Sequence, residues 1–224
     1  RSIDGIMLYS GLNTGSYRIE LSDDGNNFSD AGSFEQNYVA LFKWNDFELD
    51  ALQVPNARYI RLTASGDVRL GVRCGGELFG QCADAPELFD EQSTVPEYQS
   101  YLNSTYFDEI YHARTACENI EGVYPYEISH PPLGKLIIAI GIELFGMTPF
   151  GWRFSGVLFG VLMLPVLYAL LKRMFGSTDI CACATAIFAF DFMHFSQTRL
   201  ATIDTYAVFF ILLMYLFMYM YITG

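Results

Sequence analysis

Three stretches in the C-terminal part of the chain carry almost no charge. Phe154 to Leu171 is 18 residues without a charged side chain, Ile180 to Thr198 has only Asp191 and His194, and Thr205 to Thr223 is 19 residues with none. A hydrocarbon core of about 30 Å needs about 20 helical residues to cross it. Each stretch meets that length, so three transmembrane helices are expected at about 153–172, 180–198 and 203–223. Lipid is the solvent this half has to satisfy.

The first half is a different material. Residues 1–129 hold 21 Asp/Glu against 8 Lys/Arg, whereas residues 130–224 hold 4 against 5. Such an acidic, Asn-, Gly- and Ser-rich segment suits a water-soluble β domain and excludes nucleic acid as a natural partner. The chain opens on Arg1 with no leader or earlier span before its soluble half, and on that ground it reads as a fragment. Cys181 and Cys183 sit in an apolar run and read as packing residues. Cys74 and Cys82 flank GGELFGQ and leave a local disulfide open, with Cys117 unpaired.

In SYRIELSDDGNNF, an alternating strand runs into Asp24-Gly25, a pair suited to a tight turn, and then into a second strand. ARYIRLTAS alternates Tyr59, Arg61 and Thr63 against Ile60, Leu62 and Ala64, as a half-buried strand does. An antiparallel β-sandwich is expected over residues 1–82. YRIELSDDGNNF, Trp44, ARYIRLTASGDVRLG and GELFG resemble the second half of a discoidin-like, galactose-binding-type jelly roll, over roughly residues 15–80. The resemblance implies a docking or spacer domain, or one with a carbohydrate ligand. Residues 83–103 read as an acidic linker punctuated by proline.

Residues 104–152 bring the chemistry. STYFDEIYHARTA sets Asp108 and Glu109 side by side at a helix start, where Thr105-x-x-Asp108 also fits a capping box. HPPLGKLIIAIGIELFG places Pro131-Pro132 in a first helical turn, and its apolar run is short enough for a juxtamembrane helix. With Lys172 and Arg173 on the cytoplasmic side, Asp108, His130, Lys135, Arg153, Asp191, His194, Arg199 and Asp204 all fall at or near the outer face. Cations there can hold a phosphate while a carboxylate deprotonates a hydroxyl, which is the chemistry of sugar transfer from a polyprenyl phosphate.

YFDEIYHARTA, HPPLGKLIIAIGIELFG, FGWRFSGVLFGVL and QTRLATIDTYAVFF together resemble the GT-C glycosyltransferases of the protein O-mannosyltransferase and lipid A aminoarabinose transferase group. The resemblance covers residues 104–224 and implies an α-helical multi-pass membrane fold; the β-sandwich inserted before the acid pair departs from it, since related enzymes go almost directly from their first span to that pair. The resemblance implies Asp108 and Glu109 as the catalytic acid pair, Asp108 first. It implies His130, Lys135, Arg153, Arg199 and Asp204 as donor-phosphate and substrate residues. It further implies inversion at the anomeric carbon, no metal or other cofactor, and a protein or glycan acceptor. Localisation would be a bacterial plasma membrane with the sandwich outside.

Other roles stay open. Asp108 could be only a cap, Lys135 could snorkel to the interface, Asp191 and His194 could bond each other, and Arg199 and Asp204 could be an ion pair. Two other classes of protein also fit the sequence. One is a membrane-anchored glycan-binding protein without catalysis. The other is a transporter, with Asp191 and His194 as a proton relay.

Overall fold

The computed structural model describes residues 5–48, 57–65, 70–74 and 98–224. The chain divides into two compact units, Arg1–Thr105 and Tyr106–Gly224.

The first unit holds six described strands: β1 (Gly5–Ser10), β2 (Gly15–Ser22), β3 (Ser29–Gln36), β4 (Trp44–Glu48), β5 (Tyr59–Ser65) and β6 (Leu70–Cys74). They form two antiparallel sheets, in the orders β4-β1-β6 and β3-β2-β5. Along β2 the side chains alternate: Tyr17, Ile19 and Leu21 are buried, while Arg18 points out and bonds Asp30 at 2.8 Å. Ile6 and Leu8 of β1 share one core with Ile19 and Leu21 of β2, flanked by Phe34, Phe47, Ile60 and Leu62. Residues from both sheets thus bury each other, the arrangement of a two-layer β unit. The buried Tyr17 hydroxyl donates to Gln36 Oε1 at 2.7 Å, which satisfies a polar group the core would otherwise strand.

The alternation expected in β5 is present: Ile60 and Leu62 pack inward and Tyr59, Arg61 and Thr63 are exposed, although Ala64 is exposed as well. The Asp24-Gly25 turn is not a tight two-residue hairpin. The loop runs from residue 23 to 28, with Gly25 at φ +77°. Its hub is the Asp24 carboxylate, which accepts from the backbone N–H of Asn26 and Asn27, both at 2.8 Å, and from the Ser22 hydroxyl at 2.9 Å. Those bonds, the Asn27 and Asn26 amides first, hold Asp24 well below the usual carboxylate range. Residues 83–97 of the expected linker, GELFG and Cys82 with its candidate disulfide lie outside the described residues.

The second unit is helical: α1 (Glu109–Glu121), α2 (Pro132–Phe145), α3 (Pro149–Phe175), α4 (Thr178–Ala189), α5 (Phe192–Gln197) and α6 (Asp204–Thr223). α2 starts as expected, with Pro131 at the cap position and Pro132 in the first turn. α3 begins at a Thr148 cap that accepts from the Gly151 N–H, continues past Pro165 and ends with Lys172 and Arg173 in its last turn. At 1.5 Å per residue, its 27 residues reach about 40 Å and the 20 residues of α6 about 30 Å. Both are long and apolar enough to cross a membrane, and only 22% and 17% of their most apolar windows is buried.

The expected single span at 180–198 is corrected. It is two helices, α4 of 12 residues and α5 of six, separated at Phe190 and Asp191. The Asp191 carboxylate accepts the His194 backbone N–H at 3.0 Å, so it caps a new helix instead of lying within an old one. At about 18 Å, α4 alone is shorter than a hydrocarbon core.

α3 is the hub, packed against α2, α4 and α6, while α1 packs on α2. Close approach depends on glycine. A Cβ on Gly151 would lie 2.0 Å from the Gly146 carbonyl oxygen, and one on Gly160 would lie 2.6 Å from Thr198 Cβ. Gly151→Ala is therefore expected to cost about 1–3 kcal/mol, as overpacking does. A lower thermal midpoint of the full-length protein in detergent would register it, and an unchanged midpoint would mean that the α2–α3 turn opens freely.

Candidate active site

Phe107 holds the left-handed backbone region at φ +51°, which for a bulky residue costs on the order of 1–3 kcal/mol. That strained residue delivers the chain into α1 with Asp108 at the cap position and Glu109 in the first turn.

Glu109 is 0% exposed, and its carboxylate is saturated. Arg153 donates from Nε to Oε1 at 2.7 Å and from Nη2 to Oε2 at 2.5 Å. The backbone N–H of Ala201 adds 2.9 Å to Oε1, and that of Tyr106 adds 2.8 Å to Oε2. One carboxylate ties together α1, α3 and the turn before α6, and it needs such partners because a buried charge without them is costly. The residue returning a side-chain bond to the helix start is thus Glu109, one position later than the Thr105-x-x-Asp108 box expected. The neighbouring Asp108 is half-buried and makes no side-chain cap bond.

A second cluster gathers where the chain enters α2. Lys135 is 2% exposed and does not snorkel outward. It is ion-paired to Glu127 and donates to the carbonyls of Glu127 at 2.7 Å and His130 at 3.3 Å. Glu127 also accepts from Ser129 and from the His130 backbone N–H. Burial acts to raise the Glu127 pKa, but the bonds from Lys135, then Ser129 and His130, prevail and hold it well below the ordinary range. His130 is 52% exposed, with Nδ1 3.1 Å from Glu127 Oε1. Its ring meets that of His112 edge-on at 5.6 Å.

The remaining candidates lie apart from these contacts. Arg199 is exposed and rests over the Phe195 ring at 4.8 Å instead of pairing with Asp204, which is exposed at the first position of α6. The expected bond between Asp191 and His194 involves the His194 backbone, while the His194 ring lies 4.4 Å from that of Phe188. The Thr198–Leu200 turn sits on Gly156 and Gly160 of α3, and this seating brings Ala201 to Glu109.

Glu127, His112 and Glu118 are not among the residues that the sequence motifs single out. Glu118 takes Arg114 Nε and the Tyr126 N–H, both at 2.7 Å. Signals were present: His112 stands one helical turn from Asp108, and Glu127 lies three residues before His130.

Comparison with known proteins bears on this arrangement. Residues 129–223 match the family model described as dolichyl-phosphate-mannose-protein mannosyltransferase. The matched segment contains His130, Lys135, Arg153, Arg199 and Asp204 and begins after the acid pair. A polyprenol-phosphate-mannose–protein mannosyltransferase of Mycobacterium tuberculosis is 35% identical over 134 residues, 59% of this chain and 23% of that protein. The Mycolicibacterium smegmatis protein of the same name is 39% identical over 83 residues, 37% of this chain and 16% of its own length. Dolichyl-phosphate-mannose–protein mannosyltransferase 4 of Saccharomyces cerevisiae is 26% identical over 122 residues, 46% of this chain and 16% of its own. The chain thus spans under a quarter of the length of these relatives. No solved structure matches it significantly. Together with the two apolar helices, these similarities assign the helical unit to a membrane.

Proposed function

We propose that this chain is part of a membrane glycosyltransferase that moves a mannosyl group from a polyprenyl phosphate to a hydroxyl of a protein, with inversion. The observation that carries the reading is the division of labour within the acid pair. Glu109 is saturated by four donors and holds α1 against α3, whereas the adjacent Asp108 carries a carboxylate with no cap bond to occupy it. A base needs that availability, and its neighbour supplies the fixed backbone that aims it.

In this reading Asp108 takes the proton of the acceptor hydroxyl as its oxygen attacks the anomeric carbon. The bond from that carbon to the phosphate oxygen breaks, and the electron pair leaves with the lipid phosphate. The resemblance gives His130, Lys135, Arg153, Arg199 and Asp204 to the donor. Lys135 and Arg153 are held by Glu127 and Glu109, so the exposed His130, Arg199 and Asp204 would meet the donor while the other two fix the walls around it. Of these, Arg199 offers an exposed guanidinium suited to bidentate phosphate contact. The resemblance implies that no metal takes part. The β unit would be a discoidin-like jelly roll in an external loop, binding glycan or docking the acceptor, with the whole active face extracytoplasmic.

The test is the full-length protein given polyprenyl-phosphate mannose and a hydroxyl-bearing peptide. Mannosyl-peptide should form in step with released lipid phosphate, and binding without consumption would sink the reading. Cysteine labelling should also place Lys172–Ser177 and the Arg199–Asp204 loop on opposite sides of the membrane.

A further inference from the structure

Each transfer of the proposed kind leaves one proton on the Asp108 carboxyl, and that proton has to depart before the next acceptor can be activated. His112 stands one turn along α1, with its backbone N–H donating to the Asp108 carbonyl at 3.2 Å. Its side chain is buried, yet Nδ1 has no hydrogen-bond partner. A buried nitrogen left this way is destabilising, and an apolar residue at the same position would avoid that cost. The ring also does not end in the core. It abuts the His130 ring edge-on, and His130 is open to solvent and bonded to Glu127.

The groups facing His112 come from each segment around it: Asp108 at the start of its own helix, Glu127 and His130 in the loop before α2, and Lys135 in α2. Burial first, and His130 next, lower its pKa below the ordinary histidine value, while Asp108 and Glu127 oppose them. Burial thus favours the uncharged imidazole, whose Nδ1 has no hydrogen-bond partner.

We propose that His112 takes the proton from Asp108 after each transfer and passes it by way of His130 to water. The inference rests on the transfer reading above. The Asp108 O–H bond breaks, an imidazolium forms at His112, and His130 carries the proton to bulk solvent, returning both rings to neutrality and Asp108 to carboxylate. His112 acts through Asp108 and touches no substrate.

The experiment uses the full-length enzyme in detergent or liposomes. His112→Gln keeps size and helix but cannot carry a proton, so kcat should fall roughly 10- to 100-fold, less than the loss of a general base, with the donor KM little changed. Imidazole in the buffer should restore part of that loss. In mixtures of light and heavy water, the unaltered enzyme should give a curved dependence of kcat on deuterium fraction, since more than one proton moves. Normal kcat in His112→Gln, a loss that imidazole leaves untouched, or a straight deuterium plot would each overturn the relay. The deuterium plot decides alone if the variant fails to fold. Full turnover in Asp108→Asn would instead remove Asp108 as the base, and a parent enzyme that consumes no donor would remove the transfer reading, whereas an inactive Asp108→Asn beside a normal His112→Gln would remove only the relay.

Discussion

Asp108→Asn in the full-length enzyme is expected to lower turnover by about 10²–10⁴-fold while donor binding and thermal stability stay close to those of the parent. The amide keeps the size of the carboxylate but cannot accept the acceptor's proton. Stability should hardly change, because the Asp108 side chain makes no cap bond that the substitution could break. Substituting a true cap residue typically costs about 1 kcal/mol, so a clear loss of stability with intact turnover would restore the capping role. Near-normal turnover would move the base elsewhere. Glu109 could not replace it without giving up Arg153, Ala201 and Tyr106, which leaves the exposed Asp204 as the next candidate.

The second large effect is expected at Arg153. Arg153→Met leaves the Glu109 carboxylate buried without its cation, and breaking such a pair on one side costs about 3–5 kcal/mol. The thermal midpoint of the full-length protein should drop accordingly. Adding Glu109→Gln to Arg153→Met should recover part of the loss, since the stranded charge is then gone. The pairing also changes how a substitution here is read, because weakened donor binding in Arg153→Ala would follow from a displaced α1 as well as from a lost phosphate contact. Selective loss of donor affinity at unchanged stability would make Arg153 a phosphate ligand in its own right and refute the purely structural tie.

What the sequence revealed was local. The uncharged runs marked α3 and α6, Pro131-Pro132 marked the start of α2, and the alternation through Ile60 and Leu62 marked β5. Those patterns follow from the period of a helix or strand and need no distant partner. The tie at Glu109 joins residues 44 and 92 positions away, and nothing in the local pattern says that the second acid of the pair, and not the first, turns inward. Lys135 misled for a related reason. A lysine in the first turn of an apolar helix looks ready to reach the interface, but its partner Glu127 sits in a loop that gave no periodic signal. The break at Asp191 was hidden because apolar residues continue on both sides of it, so composition stayed that of one span while the carboxylate started another helix.

That break has a consequence for what must surround this chain. Between Ala189 and Asp204 only the six residues of α5 are helical. Although the N–H groups of Phe190, Asp191 and Thr198–Ala201 find partners, the backbone is turned and does not run as one continuous helical ladder. Hydrocarbon cannot solvate backbone outside such a ladder; only protein or water can. Wherever this stretch enters the bilayer, it has to face other helices or an aqueous vestibule. Lipid is then left to the outer faces of α3 and α6, and the loop bearing Arg199 is held at the wet side of a dry wall.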